Sequence, residues 1–190
     1  MKQRVLFLLL PLTIAVMVLT GCGGPAKKLP EYDKVPAFTM TDSEGHSFNQ
    51  SQMAGKIWVV DFIYTFCPAE CPLMSARMRK LEAQLKGLDD VRLLSISVDP
   101  DRDTPPVLNK FAHRWGAPNV QWTFLTGDAA TVHLLAYQTF HVGDVINKME
   151  HSTKFALVDR QGVIRGYYSS FDHDSMADLV KDVETLRKAS

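Results

Sequence analysis

The feature that most constrains the fold is a nine-residue run, KIWVVDFIY, from Lys56 to Tyr64. Between its two ends the run is apolar except for Asp61, and β-branched and aromatic side chains predominate. This composition is typical of a strand that is buried on both faces of a sheet. We therefore expect a central strand here, with one acidic residue inside it.

Helix and strand patterns alternate after this run. Apolar residues at helical spacing and a closing Gly87 predict a helix from Cys71 to Lys86. A second apolar run predicts a buried strand from Val91 to Asp99. The patterns that follow predict a helix (103–116, opening with an N-cap residue and prolines), a strand (122–127) and a helix (128–140).

Two predicted hairpins flank this alternating region. One turns at Glu44–Gly45, and the other runs from Lys154 to Ser169, turns at Gln161–Gly162 and precedes a final helix over 172–188. Strands that alternate with helices form a mostly parallel sheet. We expect an α/β protein with a thioredoxin-like fold, in which helices flank a central, mostly parallel sheet and a β-hairpin lies near each end of the chain.

The N-terminus carries an export pattern. Two positive charges in MKQR precede an apolar stretch, Val5 to Leu19, that is short for a membrane span. The stretch ends in LTGC, which looks like the lipobox of bacterial lipoproteins, with Cys22 as the lipidated residue. We expect a signal peptide (1–21), a lipidated tether (22–34) and one domain (35–190), held on the extracytoplasmic face of a bacterial cell membrane, on the periplasmic side or at the cell exterior.

The charge balance argues against one class of partner. Without residues 1–21 the chain has 19 basic and 21 acidic residues, a net charge of about −2, and no basic block. We therefore expect no binding to nucleic acid.

The remaining two cysteines, Cys67 and Cys71, lie where the first long strand gives way to the first long helix. This edge of an α/β sheet is where ligands bind, and a helix N-terminus stabilises a thiolate. Their four-residue spacing is compatible with a redox-active disulfide, with a clamp for a soft metal ion such as Cu(I) or zinc, or with a structural disulfide. The strand-to-helix location argues against the structural bond.

A third metal ligand has to come from a distant part of the chain. His151 follows a loop over 142–150 and begins a predicted strand, whereas His141, after a helix, is a weaker candidate. Surface or packing roles are expected for the other histidines, which are His46, His113, His133 and His173.

Four blocks, FCPAECP, SVDPDRDTP, WTFLTG and HSTKFALVDRQG, together resemble the Sco/SenC proteins, and the resemblance covers the chain from Val35 to its end. It implies a thioredoxin-like fold and one copper ion, Cu(I) or Cu(II), per domain, bound by Cys67, Cys71 and His151. It also implies a membrane-anchored protein that delivers copper to, or prepares, the binuclear copper site of cytochrome c oxidase subunit II. Other copper chaperones or thioredoxin-like reductants are further expected partners.

Two acidic residues are candidates to support this site. Asp99 ends the strand beside the one that leads to Cys67, so it is expected either to contact a metal ligand or to cap the following turn. Asp61 precedes Cys67 by six residues, as does a buried carboxylate in thioredoxins that resembles a proton acceptor for the second cysteine; a surface-facing or hydrogen-bonded structural role is the alternative. The sequence leaves open whether Glu70 faces the metal or solvent.

Two alternative functions use the same cysteines. A thiol–disulfide oxidoreductase would reduce the cysteines of the oxidase without carrying copper, through a Cys67–Cys71 disulfide. A thiol peroxidase is the least favoured reading, because Thr65 lies two residues before Cys67 and the usual peroxidase pattern has threonine three residues before.

Overall fold

The computed structural model describes residues 28–142 and 153–189. Within them, seven strands form one sheet: β1 (Thr39–Asp42), β2 (Ser47–Asn49), β3 (Ile57–Ile63), β4 (Val91–Ser97), β5 (Trp122–Thr126), β6 (Lys154–Val158) and β7 (Ile164–Ser169). The helices are α1 (Glu70–Gln84), α2 (Pro105–His113), α3 (Ala129–His133) and α4 (His173–Lys188), with a π-helix (Leu134–Thr139) after α3 and a 3-10 helix (Gln50–Met53) after β2.

The sheet has the strand order β2-β1-β5-β4-β3-β6-β7. Strands β3, β4 and β5 are parallel, whereas the hairpins β1–β2 and β6–β7 join the two sides of this trio in antiparallel pairings. The expected central parallel sheet with a hairpin at each end is therefore what the structure contains. Because β3, β4 and β5 run in the same direction, their carboxyl ends meet at one edge.

Apolar side chains fill both faces of the sheet. Successive side chains of a strand point to opposite faces, and every residue of β3 is buried. Ile57, Val59 and Ile63 pack into the core that α1, α2 and α4 cover, and Trp58, Val60 and Phe62 pack into the core beneath α3. The prediction of a strand buried on both faces is confirmed.

The predicted boundaries of three helices need correction. Helix α1 begins at Glu70, one residue before the expected start, and its last helical residue is Gln84. Helix α2 begins at Pro105, with Thr104 as its N-cap. Asp103 does not cap the helix, because its carboxylate accepts hydrogen bonds from Thr65 and Ser97. The helix predicted over 128–140 begins one residue later than expected, as α3 with Asp128 as its N-cap, and continues as a π-helix.

In the described ranges no helix has the length and apolar character needed to cross a membrane.

Candidate metal and thiol site

The two cysteines lie at the carboxyl edge of the parallel strands, on the α1 side of the sheet. Tyr64 to Ala69 connect β3 to α1, so Cys67 lies in this connection and Cys71 is the second residue of the helix. The amide N–H of Cys67 donates to the carbonyl of Tyr64 at 3.3 Å, which closes a turn around Thr65 and Phe66. The predicted location of the pair at a strand-to-helix junction is confirmed.

Both cysteines are free thiols with little exposure, 5% for Cys67 and 0% for Cys71. The amide N–H of Cys71 points at the Cys67 sulfur, with 3.2 Å between nitrogen and Sγ. This contact holds the Cys67 sulfur over the first turn of α1, beside the second cysteine. The structure therefore brings the two predicted thiols together in their reduced form.

The pKa values of the two thiols are shifted in opposite directions. Burial opposes ionisation of Cys67, but hydrogen bonds from the backbone N–H groups of Cys71 and Ala69 and from the side chains of Cys71 and Tyr64 together outweigh it and hold the pKa of Cys67 below its usual value. Burial raises the pKa of Cys71 far above its usual range, and the neighbouring Cys67 sulfur and Asp61 raise it further. Cys67 is thus the thiol that ionises first.

Two side chains flank the Cys67 sulfur. Burial raises the pKa of Tyr64 to about 12, helped by its hydrogen bond with Cys67. A carboxylate oxygen of Glu70 lies 3.7 Å from Cys67 Sγ, although the Glu70 side chain as a whole is exposed. Glu70 therefore lies between the Cys67 sulfur and solvent.

Asp61 lies on the same face of the sheet as the cysteines and is fully buried. Its Oδ1 accepts a hydrogen bond from Ser95 Oγ at 2.6 Å, and Ser95 Oγ accepts one from Trp122 Nε1 at 3.0 Å. Among the described residues, its Oδ2 has no hydrogen-bond partner. Burial raises the pKa of Asp61 to about 7, and the bond from Ser95 offsets only part of this effect. The surface-facing alternative is wrong, because Asp61 is fully buried. The other two predicted roles, hydrogen-bonded structural group and proton acceptor, are compatible with this geometry.

Asp99 lies at the same edge of the sheet. Its carboxylate pairs with Arg102 at 2.5 Å, and its backbone carbonyl accepts the N–H groups of Arg102 and Asp103. Asp99 and Tyr64 both line a cleft of about 300 Å³. Asp99 is therefore near the site, as expected, but the group its side chain holds is Arg102.

The sequence reasoning missed Asp103, whose carboxylate is fully buried beside the cysteine turn. It accepts hydrogen bonds from the Thr65 amide, the Thr65 hydroxyl and the Ser97 hydroxyl. Its position before Thr104 and Pro105 is typical of a helix N-cap, so the sequence did not indicate that it bonds to the cysteine turn. An acidic residue at the carboxyl edge of the sheet, in the block SVDPDRDTP, was the available signal.

The predicted third ligand, His151, lies outside the described residues, and so does the predicted lipidation site, Cys22. The weaker candidate, His141, has its Nε2 2.7 Å from a carboxylate oxygen of Asp33. In the described part of the chain, the residues whose ligand atoms lie close enough together for three of them to hold a metal ion are Asp42, Glu44 and His46, at the β1–β2 turn. The metal-ligand roles of Cys67, Cys71 and His151 therefore stay predictions.

Comparisons with known proteins agree with the sequence blocks. The SCO1/SenC family model matches residues 26–188. The chain is 32% identical over 177 residues to the SCO1 protein homolog of Bacillus subtilis (strain 168), covering 89% of this chain and 91% of that protein.

Solved structures show the same fold. BsSco, a member of the Sco family of cytochrome c oxidase assembly proteins in which a disulfide switch is identified, aligns with a TM-score of 0.74 and 30% identity over 86% of this chain and 98% of that one. ScoI of Bradyrhizobium japonicum, solved with copper bound, aligns with a TM-score of 0.63 and 27% identity over 78% of this chain and 99% of that one. These matches confirm the thioredoxin-like fold and the predicted family. The chain belongs to the SCO1/SenC family.

Proposed function

We propose that this protein binds one copper ion through Cys67, Cys71 and His151 and delivers it to the binuclear copper site of cytochrome c oxidase subunit II. The observation that carries the proposal is the pair of buried thiols at the carboxyl edge, with Cys67 Sγ 3.2 Å from the amide of Cys71. Related proteins support it, since one is solved with copper bound and another is a cytochrome c oxidase assembly protein.

The residues present fit copper. Two thiols are soft ligands, and an imidazole would complete a set that suits copper in both oxidation states. The lowered pKa of Cys67 favours its thiolate, which is the form that binds metal. Copper is the cargo in this proposal, and the exposed Glu70 side chain lies between the Cys67 sulfur and solvent, on the side from which a partner would approach.

The second candidate function is reduction of a disulfide in the oxidase subunit. The observation that favours it is the asymmetry of the thiols, with a Cys67 that ionises readily beside a Cys71 that does not. The Cys67 thiolate would attack one sulfur of the partner's disulfide and release the other as a thiolate. Cys71 would then attack the Cys67 sulfur and break the mixed disulfide, and the partner's displaced thiolate would take up the Cys71 proton. The Cys67–Cys71 disulfide forms and supplies the two electrons, so the partner leaves as a dithiol.

Membrane attachment belongs to the same proposal. The apolar stretch over 5–19 and Cys22 at its end support export and a lipid anchor on the extracytoplasmic face of the membrane. The acceptor would then be an oxidase domain exposed on that face. Other copper chaperones or thioredoxin-like reductants would reload or reduce the site.

Titration with Cu(I) and Cu(II), followed by transfer to an apo copper domain of subunit II, tests the proposal. We expect His151→Ala to weaken Cu(II) binding at least about 100-fold, since losing a residue that only supports a ligand already costs 10- to 100-fold. Transfer should fall in proportion.

His141→Ala is the matched control, because the His141 ring is bound to Asp33. It should bind copper as the wild type does. Equal copper binding by wild type and His151→Ala would show that the three-ligand proposal is wrong. Reduction of the acceptor's disulfide without copper, unchanged in His151→Ala, would favour the reductase.

A further inference from the structure

The buried carboxylate of Asp103 is bonded to the turn that carries Cys67. Its Oδ2 accepts the Thr65 amide N–H at 3.0 Å, and its Oδ1 accepts the Thr65 hydroxyl at 2.5 Å. Thr65 is a central residue of the turn that the Cys67 amide closes on the Tyr64 carbonyl. One side chain thus holds one residue of the turn at two points, two positions before Cys67.

The other side of Asp103 is fixed to the sheet. Its Oδ2 also accepts the hydroxyl of Ser97 at 2.6 Å. Ser97 Oγ in turn accepts the amide N–H of Asp99 at 3.1 Å, so the hydroxyl hydrogen is the one that Asp103 receives. Ser97 ends β4 and pairs with Ile63, the last residue of β3. Asp103 therefore links the turn to the rigid end of the neighbouring strand.

A second contact joins the turn over 64–67 to the loop over 99–103. The guanidinium of Arg102 lies over the Phe66 ring, 5.6 Å from its centroid, in cation–π geometry. Phe66 is the other central residue of the turn and is 60% exposed. The loop over 99–103 therefore contacts both central residues, and the Asp103 carboxylate, unlike the Phe66 ring, is fully buried.

We infer that Asp103 is a positioning residue for Cys67: by bonding to Thr65 and Ser97 it fixes the turn that places the Cys67 sulfur against the amide of Cys71. The inference rests on the proposed function in that Cys67 and Cys71 are the working pair. Without Asp103, the turn loses conformational entropy each time Cys67 and Cys71 form a disulfide or bind the same metal ion. This entropy cost opposes both reactions.

The test compares Asp103→Ala with Asp103→Asn in the full-length, metal-free protein. The asparagine oxygen can accept the bonds from Thr65 N–H and Ser97, and its amide N–H₂ can donate to the Thr65 hydroxyl, so its hold on the turn is kept. The measurement is the equilibrium constant for Cys67–Cys71 disulfide formation in glutathione buffers. We expect a fall of about tenfold in Asp103→Ala, which is about 30 mV for a two-electron couple, and a change of less than about twofold in Asp103→Asn.

The matched control is Asp182→Ala, which removes another buried carboxylate, bonded to Tyr168 in the α4–β7 region. It should lower thermal stability but leave the disulfide equilibrium unchanged, which separates positioning from general destabilisation. An unchanged equilibrium in Asp103→Ala would overturn the inference. An Asp103→Asn variant as defective as Asp103→Ala would also overturn it, because charge and not the hold on Thr65 would then be responsible.

A second readout is the Cu(II)–thiolate charge-transfer absorption. We expect this band to be weakened or shifted in Asp103→Ala and unchanged in Asp103→Asn and Asp182→Ala. A wild-type protein that binds no copper would contradict the proposed function. The disulfide equilibrium would still test the role of Asp103, so the two failures are distinguishable.

Discussion

At the scale of single residues, burial decides which groups near the site are charged. Asp61 is enclosed in the middle of β3 with one hydrogen bond to its Oδ1, and its pKa is raised to about 7 from a usual value of 3.8. An acid whose pKa is higher in the folded state binds its proton more tightly there. Its contribution to stability is therefore fully present below pH 3.8 and is lost as the pH rises to about 7.

Asp61→Asn should remove this pH dependence, because the amide is neutral throughout. The free energy of unfolding of the variant, relative to wild type, should increase between pH 4 and pH 7 by up to about 4 kcal/mol. Urea unfolding of the reduced proteins at several pH values measures it. Stability curves that stay parallel over this range would show that Asp61 is not the buried acid described.

At the scale of elements, α1 has one face in the core and one in solvent. Met74, Met78 and Leu81 are fully buried against the sheet, whereas Leu73, on the same helix, is 57% exposed. The same residue type thus occurs in two environments on one helix. Packing against the sheet, and not intrinsic helix propensity alone, stabilises the helix that carries Cys71.

Leu81→Ala should therefore cost about 2 to 5 kcal/mol of unfolding free energy, because it leaves a cavity in a closed core. Leu73→Ala is the matched control and should change stability by less than about 0.5 kcal/mol. Chemical denaturation of both variants checks this difference. A similar loss in both would mean that the exposed face of α1 is covered in the native protein.

At the scale of the whole molecule, the segment before Val35, assigned from the sequence to the tether, packs onto the second hairpin. Leu29 is buried, and the Tyr32 amide donates to the Ile164 carbonyl at 2.9 Å. Arg165 donates to the carbonyls of Pro30 and Leu29 and pairs with Asp159. The segment between the predicted lipid site and Val35 is therefore packed against β7 from Leu29 onward.

A chain that begins at Val35 should be less stable than one that begins at Lys28. Losing the buried Leu29 side chain and the associated hydrogen bonds should cost about 3 kcal/mol. The Tm should fall by roughly 6 to 12 °C, as measured by thermal unfolding of the two shortened proteins. Equal Tm values would show that this segment contributes nothing to the domain.

Local patterns in the sequence were enough for most elements. The β3 run, the closing Gly87 and the two hairpin turns each depend on neighbouring residues, so they predicted the strands and helices to within a few positions. They also put Cys67 and Cys71 at the start of α1. The start of α2 was misjudged because Asp103 has its hydrogen-bond partners 38 and six residues away, in Thr65 and Ser97.

The sequence by itself determined the α/β class, the family and the cysteine pair, because these follow from periodicity, turn residues and short motifs. Only the tertiary structure decided which thiol ionises first, where Glu70 lies and what Asp103 holds. Those properties depend on burial and on hydrogen bonds between segments that are distant in the chain. Parallel strands bring such segments together at one edge, and no local pattern records that contact.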